Sequence, residues 1–133
     1  MTETTSRTTE SGPSSGPARQ ALGAYGERVA AAYLTACGMV LAERNWRCPD
    51  GELDLVLWDG EVLVVCEVKT RAGETGGTPH EAVTPEKLQR IQRLAEQWQL
   101  AHGVRAEDLR VDLVAVVHPP RGAAEVEHVR GLV

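Results

Sequence analysis

The stretch Gly51-Glu-Leu-Asp-Leu-Val-Leu57, followed shortly by Val64-Val-Cys-Glu-Val-Lys-Thr-Arg71, decides how the rest of the chain is read. Both halves have the apolar density of strands, and Asp59-Gly60 lies between them. Asp-Gly flanked by two such runs is a strong two-residue hairpin signal. Side chains alternate across a strand. Leu53, Leu55 and Leu57 therefore share one face, with Glu52, Asp54, Val56 and Trp58 on the other. In the second strand Val62, Val64, Cys66 and Val68 oppose Leu63, Val65, Glu67 and Lys69. With Asp59-Gly60 as the whole loop, Trp58 pairs with Glu61, Val56 with Leu63, Asp54 with Val65 and Glu52 with Glu67. Asp54, Glu67 and Lys69 then fall on one face, and Asp54 and Glu67 are diagonal neighbours about 7–8 Å apart at the backbone.

That arrangement has a chemical consequence. Like charges directly across a strand pair are destabilising, and Glu67 and Lys69 interrupt a run, Val62 to Val65, that reads as buried. Ionised groups in a buried strand require partners. A hard divalent cation, Mg²⁺ or Mn²⁺, would neutralise the carboxylates, because such ions take oxygen ligands, often one or two carboxylates plus water and phosphate. Lys69 adds a positive charge beside bound phosphate or an attacking water. A charged strand face can also be merely solvated; it is the combination with Asp54 that points to a metal site.

Outward from the hairpin, residues 22–37 carry Leu22, Tyr25, Val29, Tyr33 and Ala36 at helical spacing, with Gly38 as a stop. On that wheel Glu27 lies away from the stripe. Val40 to Trp46 reads as a weak strand, and residues 71–83 as a Gly-rich loop. A second helix starts at Thr84 with Pro85 in its first turn, carries the stripe Leu88, Ile91, Leu94, Ala95 and Trp98, and closes at Gly103. Val111 to Val117 is a further strand, and Val126 and Val129 suggest an edge strand. The order α-β-β-β-α-β implies an α/β domain with a mixed sheet flanked by helices. Residues 1–20, nine of them Ser or Thr, read as a disordered tail, and 21–133 as one domain.

Composition narrows the class. The chain has 133 residues, 42% hydrophobic, with no Phe and a net charge of −5. That charge argues against a protein that coats nucleic acid by bulk attraction. Yet residues 43–74 hold eight acids against four bases, so the excess surrounds the proposed site, where cations would offset it. Lys87, Arg90 and Arg93 line one flank of the second helix and are the available phosphate-contacting surface. Neither a membrane span nor a signal peptide is evident. Three cysteines without C-x-x-C spacing fit a reducing cytoplasm. His80, His102, His118 and His128 show no ligand spacing and read as surface histidines.

G-E-x-D-L-V followed by E-V-K-x-R resembles the YraN-type family of predicted endonucleases, which is similar to archaeal Holliday-junction resolvases and the wider PD-(D/E)xK superfamily. The resemblance extends to Gly23-x-x-Gly26-Glu27 with Ala30 and Tyr33-Leu34, to Asn45-x-Arg47, and to Arg110-Val-Asp112 with Val114. It implies a restriction-endonuclease-like fold and metal-dependent hydrolysis of phosphodiester bonds, more in DNA than RNA, on branched or structured substrates. It also implies roles: Asp54 as the central metal ligand, Glu67 and Lys69 as the (D/E)xK pair, Glu27 as the helical glutamate added to the site, and Arg71 as a phosphate contact. Cys66 stands where the family more often has a bulky apolar residue and reads as core packing. The alternative is a non-catalytic nucleic-acid-binding or assembly module on the same fold. A homodimer is a candidate assembly for either reading, and no membrane partner is expected.

Overall fold

The parallel pairing of two inner strands organises this computed structural model, which describes residues 16–73 and 83–133. Helix α1 (Pro17–Ala36) precedes β1 (Val40–Cys48), β2 (Gly51–Asp59) and β3 (Val62–Ala72); α2 (Pro85–His102) then leads to β4 (Asp108–His118) and β5 (Glu125–Val129). The five strands form one sheet in the order β1-β2-β3-β4-β5. Strands β3 and β4 are parallel, and the other neighbours are antiparallel. Parallel neighbours need a long crossover, and α2 lies within it. The result is the mixed α/β architecture expected, consistent with a restriction-endonuclease-like fold, with β5 as the added edge strand. Among the described residues no helix is long and apolar enough to cross a membrane.

Each helix covers one face of the sheet. On the α1 side, Ala30, Ala31 and Leu34 pack on Leu55, Leu57, Val64, Cys66, Val114 and Val116. On the α2 side, Ile91, Leu94, Ala95 and Trp98 pack on Val56, Leu63, Val65 and Val111. Strands buried on both faces read as near-continuous apolar runs, as Leu63–Cys66 and Val111–Val114 do, apart from Asp112. Helix α2 follows its sequence signals. The Thr84 hydroxyl accepts a hydrogen bond from the Lys87 N–H at 3.1 Å, Pro85 opens the helix, and Gly103 ends it at φ 65°. Cys66 is a buried core thiol, and burial pushes its pKa well up, as an inert packing cysteine requires.

Helix α1 differs from the sequence reading. It begins at Pro17, so Pro17–Gln20, read as tail, are helical; residues 1–15, like most of the Gly-rich loop (74–82) and His80, lie outside the described residues. The buried side is Gly26, Ala30, Ala31 and Leu34, while Tyr33 of the expected stripe is exposed. The cause is proximity: a Cβ at Gly26 would overlap the Thr70 side chain of β3. Gly26 thus permits close approach of helix and sheet rather than of a nucleic-acid backbone, and small residues along one side define the contact.

The hairpin register also differs. The loop is Gly60-Glu61, closed by Asp59 opposite Val62, so Trp58 faces Leu63, Val56 faces Val65 and Leu55 faces Cys66. Glycine at the first loop position, here at φ 63°, is the pattern of a type II′ turn. Asp59 is held in the strand because its carboxylate accepts from Arg110 at 2.9 Å and Arg130 at 3.1 Å. The shift of two keeps residue parity but replaces the expected diagonal: with Leu55 opposite Cys66, Asp54 comes level with Glu67 rather than with Val65, one step past the last ladder pair. It removes the expected opposition of Glu52 and Glu67: Glu52 instead pairs with Arg47 on β1. Leu53 also leaves the expected face and joins the α2-side core. Between the Arg44–Leu55 and Trp46–Leu53 pairs, Asn45 takes φ 52°, a left-handed kink that breaks simple alternation here.

Candidate metal and phosphate site at the sheet fork

The β2–β3 ladder stops at Leu55–Cys66. Beyond it, β2 continues paired only to β1, as far as Gly51 opposite Cys48. Strand β3 continues paired only to β4, as far as Ala72 opposite His118. The sheet therefore forks one position before Asp54 and Glu67. Backbone groups in the cleft of the fork are released from ladder pairing, and the Val68 N–H donates to Asp54 Oδ2 at 2.9 Å. A side chain has replaced a strand as the hydrogen-bond partner, which fixes Asp54 across the gap.

The charges of three other carboxylates act on Asp54. Burial pushes the Asp54 carboxyl well above its usual range; the charges of Glu67, Glu27 and Glu52 push in the same direction, and the Val68 N–H opposes them. Like charges disfavour ionisation in this way. Glu27 reaches the cluster from α1. It lies three and four residues before Ala30 and Ala31 and seven before Leu34, so the true buried side of the helix carries it toward the sheet. Burial raises its carboxyl too, with Glu52 adding, while a hydrogen bond from the Asn45 side chain and the charges of Arg44 and Arg47 lower it.

Glu67 faces the opposite helix. Its Oε2 lies 2.8 Å from Lys87 Nζ, in an ion pair largely withdrawn from water. Lys87 therefore turns inward, unlike Arg90 and Arg93, which remain exposed on the same helix. Lys69 is exposed at the rim; its amine is lowered by desolvation first and then by the charges of Lys87, Arg71 and Arg19, with Glu67 opposing. Arg71 follows on β3 and is half-buried. Arg90 and Arg93 line a depression of about 290 Å³ with Asp50, Leu94 and Gln97, where the Gln97 amide donates to Asp50 at 2.8 Å. The structure thus brings together Asp54, Glu67, Lys69 and Glu27, adds Lys87 as an ion-pair partner rather than an open phosphate contact, and leaves Arg90 and Arg93 on an adjoining surface.

The donor set suits a hard divalent cation in chemistry: oxygen ligands, and excess negative charge that an ion would relieve. Among the described residues, no three His, Cys, Asp or Glu side chains are gathered into a ready-made cluster. Mg²⁺ does not need one, since it usually keeps several waters and takes one or two carboxylates. Asp54 and Glu67, with the backbone at Val68, are the residues that could hold it.

Two contacts escaped the sequence reading. Asn45 and Lys87 were visible in the motif and on the helix flank, but neither partner was legible. Asp112, quoted in the motif Arg110-Val-Asp112, was given no role. It is completely buried and accepts from Arg110 at 2.9 and 3.1 Å, from the Gly131 N–H at 3.0 Å, and pairs with His128 at 2.8 Å. His128, read as a surface residue, is 7% exposed and belongs to this network. His102 also has partners, Glu43 at 3.0 Å and the ring of Trp98, whose indole N–H donates to Glu43 at 2.8 Å.

Residues 26–116 match the model of the family described as Uncharacterised protein family UPF0102. The chain is 60% identical over 114 residues to a UPF0102 protein of Nocardioides sp., covering 86% of this chain and 92% of that protein. It is 56% identical over 115 residues to one of Beutenbergia cavernae (86% and 98% covered) and 55% identical over 117 residues to one of Streptomyces coelicolor (86% and 90% covered). The matched region runs from Gly26 to Val116 and so contains both arms of the fork.

Proposed function

The chain belongs to the UPF0102 family, and we propose that it is a divalent-metal-dependent nuclease that hydrolyses phosphodiester bonds, in DNA of branched or otherwise structured form. The observation that carries this reading is the convergence of Asp54, Glu67 and Lys69 at the sheet fork, with Asp54 held by the Val68 N–H and crowded by further carboxylates. Lys87 pairs with Glu67, but among the described residues the contact that offsets Asp54 is the Val68 N–H, and three further acids push its carboxyl up.

In this reading Asp54 and Glu67 would hold Mg²⁺ or Mn²⁺, and Glu27, hydrogen-bonded by Asn45, would add negative charge beside it. A bound cation would supply a water of lowered pKa and offset the negative charge that builds on the phosphate. Lys69, two residues beyond Glu67 on β3, would position or polarise that water; burial lowers the proton affinity of its amine. Arg71 contacts the scissile phosphate, and Arg90 and Arg93 hold a flanking stretch of backbone, as cationic side chains outside the acidic cleft would.

A second reading, a nucleic-acid-binding module without turnover, draws support from the Glu67–Lys87 ion pair, which neutralises one of the acids without any metal. Cleavage assays separate the two. With Mg²⁺ or Mn²⁺ present, flap, junction and single-stranded DNA are offered to the full chain and to Asp54→Asn and Lys69→Ala. The nuclease reading predicts metal-dependent cleavage that falls by roughly 100-fold or more in both variants. Equal rates in all three proteins would overturn the site assignment, and binding without cleavage would favour the second reading.

A further inference from the structure

We infer that Lys87 is a resident counter-ion for Glu67 and competes with a divalent cation for that carboxylate. The inference rests on the reading of Glu67 as a metal ligand and adds to it a device by which the chain stabilises its own empty site.

Lys87 belongs to the first turn of α2, where its backbone N–H is fixed by the Thr84 hydroxyl at 3.1 Å. Arg90 and Arg93, about one and two turns further along the helix, are exposed. Lys87 alone of the three crosses to β3, where Nζ meets Glu67 Oε2 at 2.8 Å with side-chain exposures of 26% and 18%. The contact lies at the mouth of the fork, where Glu67 would otherwise face Asp54 uncompensated. An ammonium at that distance occupies one carboxylate oxygen, so a cation that uses that oxygen must displace it. Lysine suits this role: it is a compact charge on a flexible four-carbon stem, able to leave without disturbing the helix, and it lacks the planar fork that locks an arginine bidentately.

The test is calorimetric titration of the full chain with Mn²⁺. Lys87→Gln should bind Mn²⁺ about 3- to 10-fold tighter than wild type, the effect of removing one partly shielded ion pair. Lys87→Arg should bind no tighter than wild type, and Arg93→Gln, which removes an equal charge from the exposed side, should leave affinity unchanged. Without metal, Lys87→Gln should melt at a lower temperature than wild type, and it should gain more from added Mn²⁺. Lys87→Gln affinity equal to or weaker than wild type would overturn the competition while leaving the metal site intact. A gain in Arg93→Gln as large as in Lys87→Gln would also overturn it, since bulk charge would then suffice. Glu67→Gln serves as the reference: if it and Asp54→Asn bind Mn²⁺ as wild type does, the metal reading itself has failed.

Discussion

Asp54 and Asp112 both lie within the sheet, and the protein treats them in opposite ways. Asp112 is fully buried, yet its carboxyl stays below the ordinary range; burial pushes it up, but Arg110, the Gly131 N–H and His128 outweigh that cost. Asp54 is less enclosed by surface measure, yet its carboxyl is driven well above the ordinary range, because burial is reinforced by Glu67, Glu27 and Glu52 and opposed only by the Val68 N–H. The first is a completed network that ties β4, the C-terminal segment and the β2–β3 hairpin together through Arg110 and Asp59. The second is only partly compensated: Lys87 pairs with Glu67, while the Val68 N–H does not offset what burial and the neighbouring acids impose on Asp54. Asp112 is a satisfied group that belongs to the fold, and Asp54 is the group on which the proposed cation site rests.

The largest effect is expected at the completed network. Asp112→Ala leaves the largely buried Arg110 guanidinium and His128 without their shared acceptor and should cost about 3–5 kcal/mol in urea denaturation, as breaking a buried ion pair does. A cost below about 1 kcal/mol would show that the network is incidental. Next comes Gly26→Ala, which forces α1 off Thr70 and should cost about 1–3 kcal/mol as overpacking. Thr70→Ala should restore part of that loss, whereas a cost arising elsewhere on the helix would not respond to it.

The smallest effect has the most informative sign. Asp54→Asn removes one of the repelling charges and keeps an acceptor for the Val68 N–H. Without divalent metal it should be neutral or stabilising by up to about 1 kcal/mol at pH 7.

The pH dependences should run in opposite directions. For Asp112, whose folded value is lowered, the stabilisation is present above the unfolded value of about 3.9 and is lost as pH falls through the folded value. For Asp54, whose folded value is raised, the folded state is favoured below about 3.9, and that advantage is lost as pH rises through the folded value. Stability curves of wild type and Asp54→Asn should therefore converge at acid pH and separate toward neutrality; curves parallel throughout would contradict the raised value.

The comparison also explains what could be read in advance. The strands, the second helix and the shared grouping of Asp54, Glu67 and Lys69 follow from local alternation, which survives a register shift of two. The register itself is not local. Asp59 stays in the strand because arginines 51 and 71 residues away recruit its carboxylate, and no turn statistic contains that information. Likewise Glu27 faces the site because Gly26 seats against Thr70, so the true buried side of α1 is set by small residues rather than by the large ones that a hydrophobic wheel favours. Asp112 had one legible sign, the spacing of Arg110 and Asp112 two apart on a strand, which puts both on one side. His128 and Gly131 come to it only through β5 pairing.

The central claim, that the fork is assembled for a cation, is tested most directly by melting wild type and Asp54→Asn at pH 7 with chelator and again with excess Mn²⁺. The account predicts that the order reverses: Asp54→Asn is at least as stable as wild type in chelator, and wild type is the more stable protein in Mn²⁺, because only it gains from binding. The same order and spacing in both conditions would contradict it.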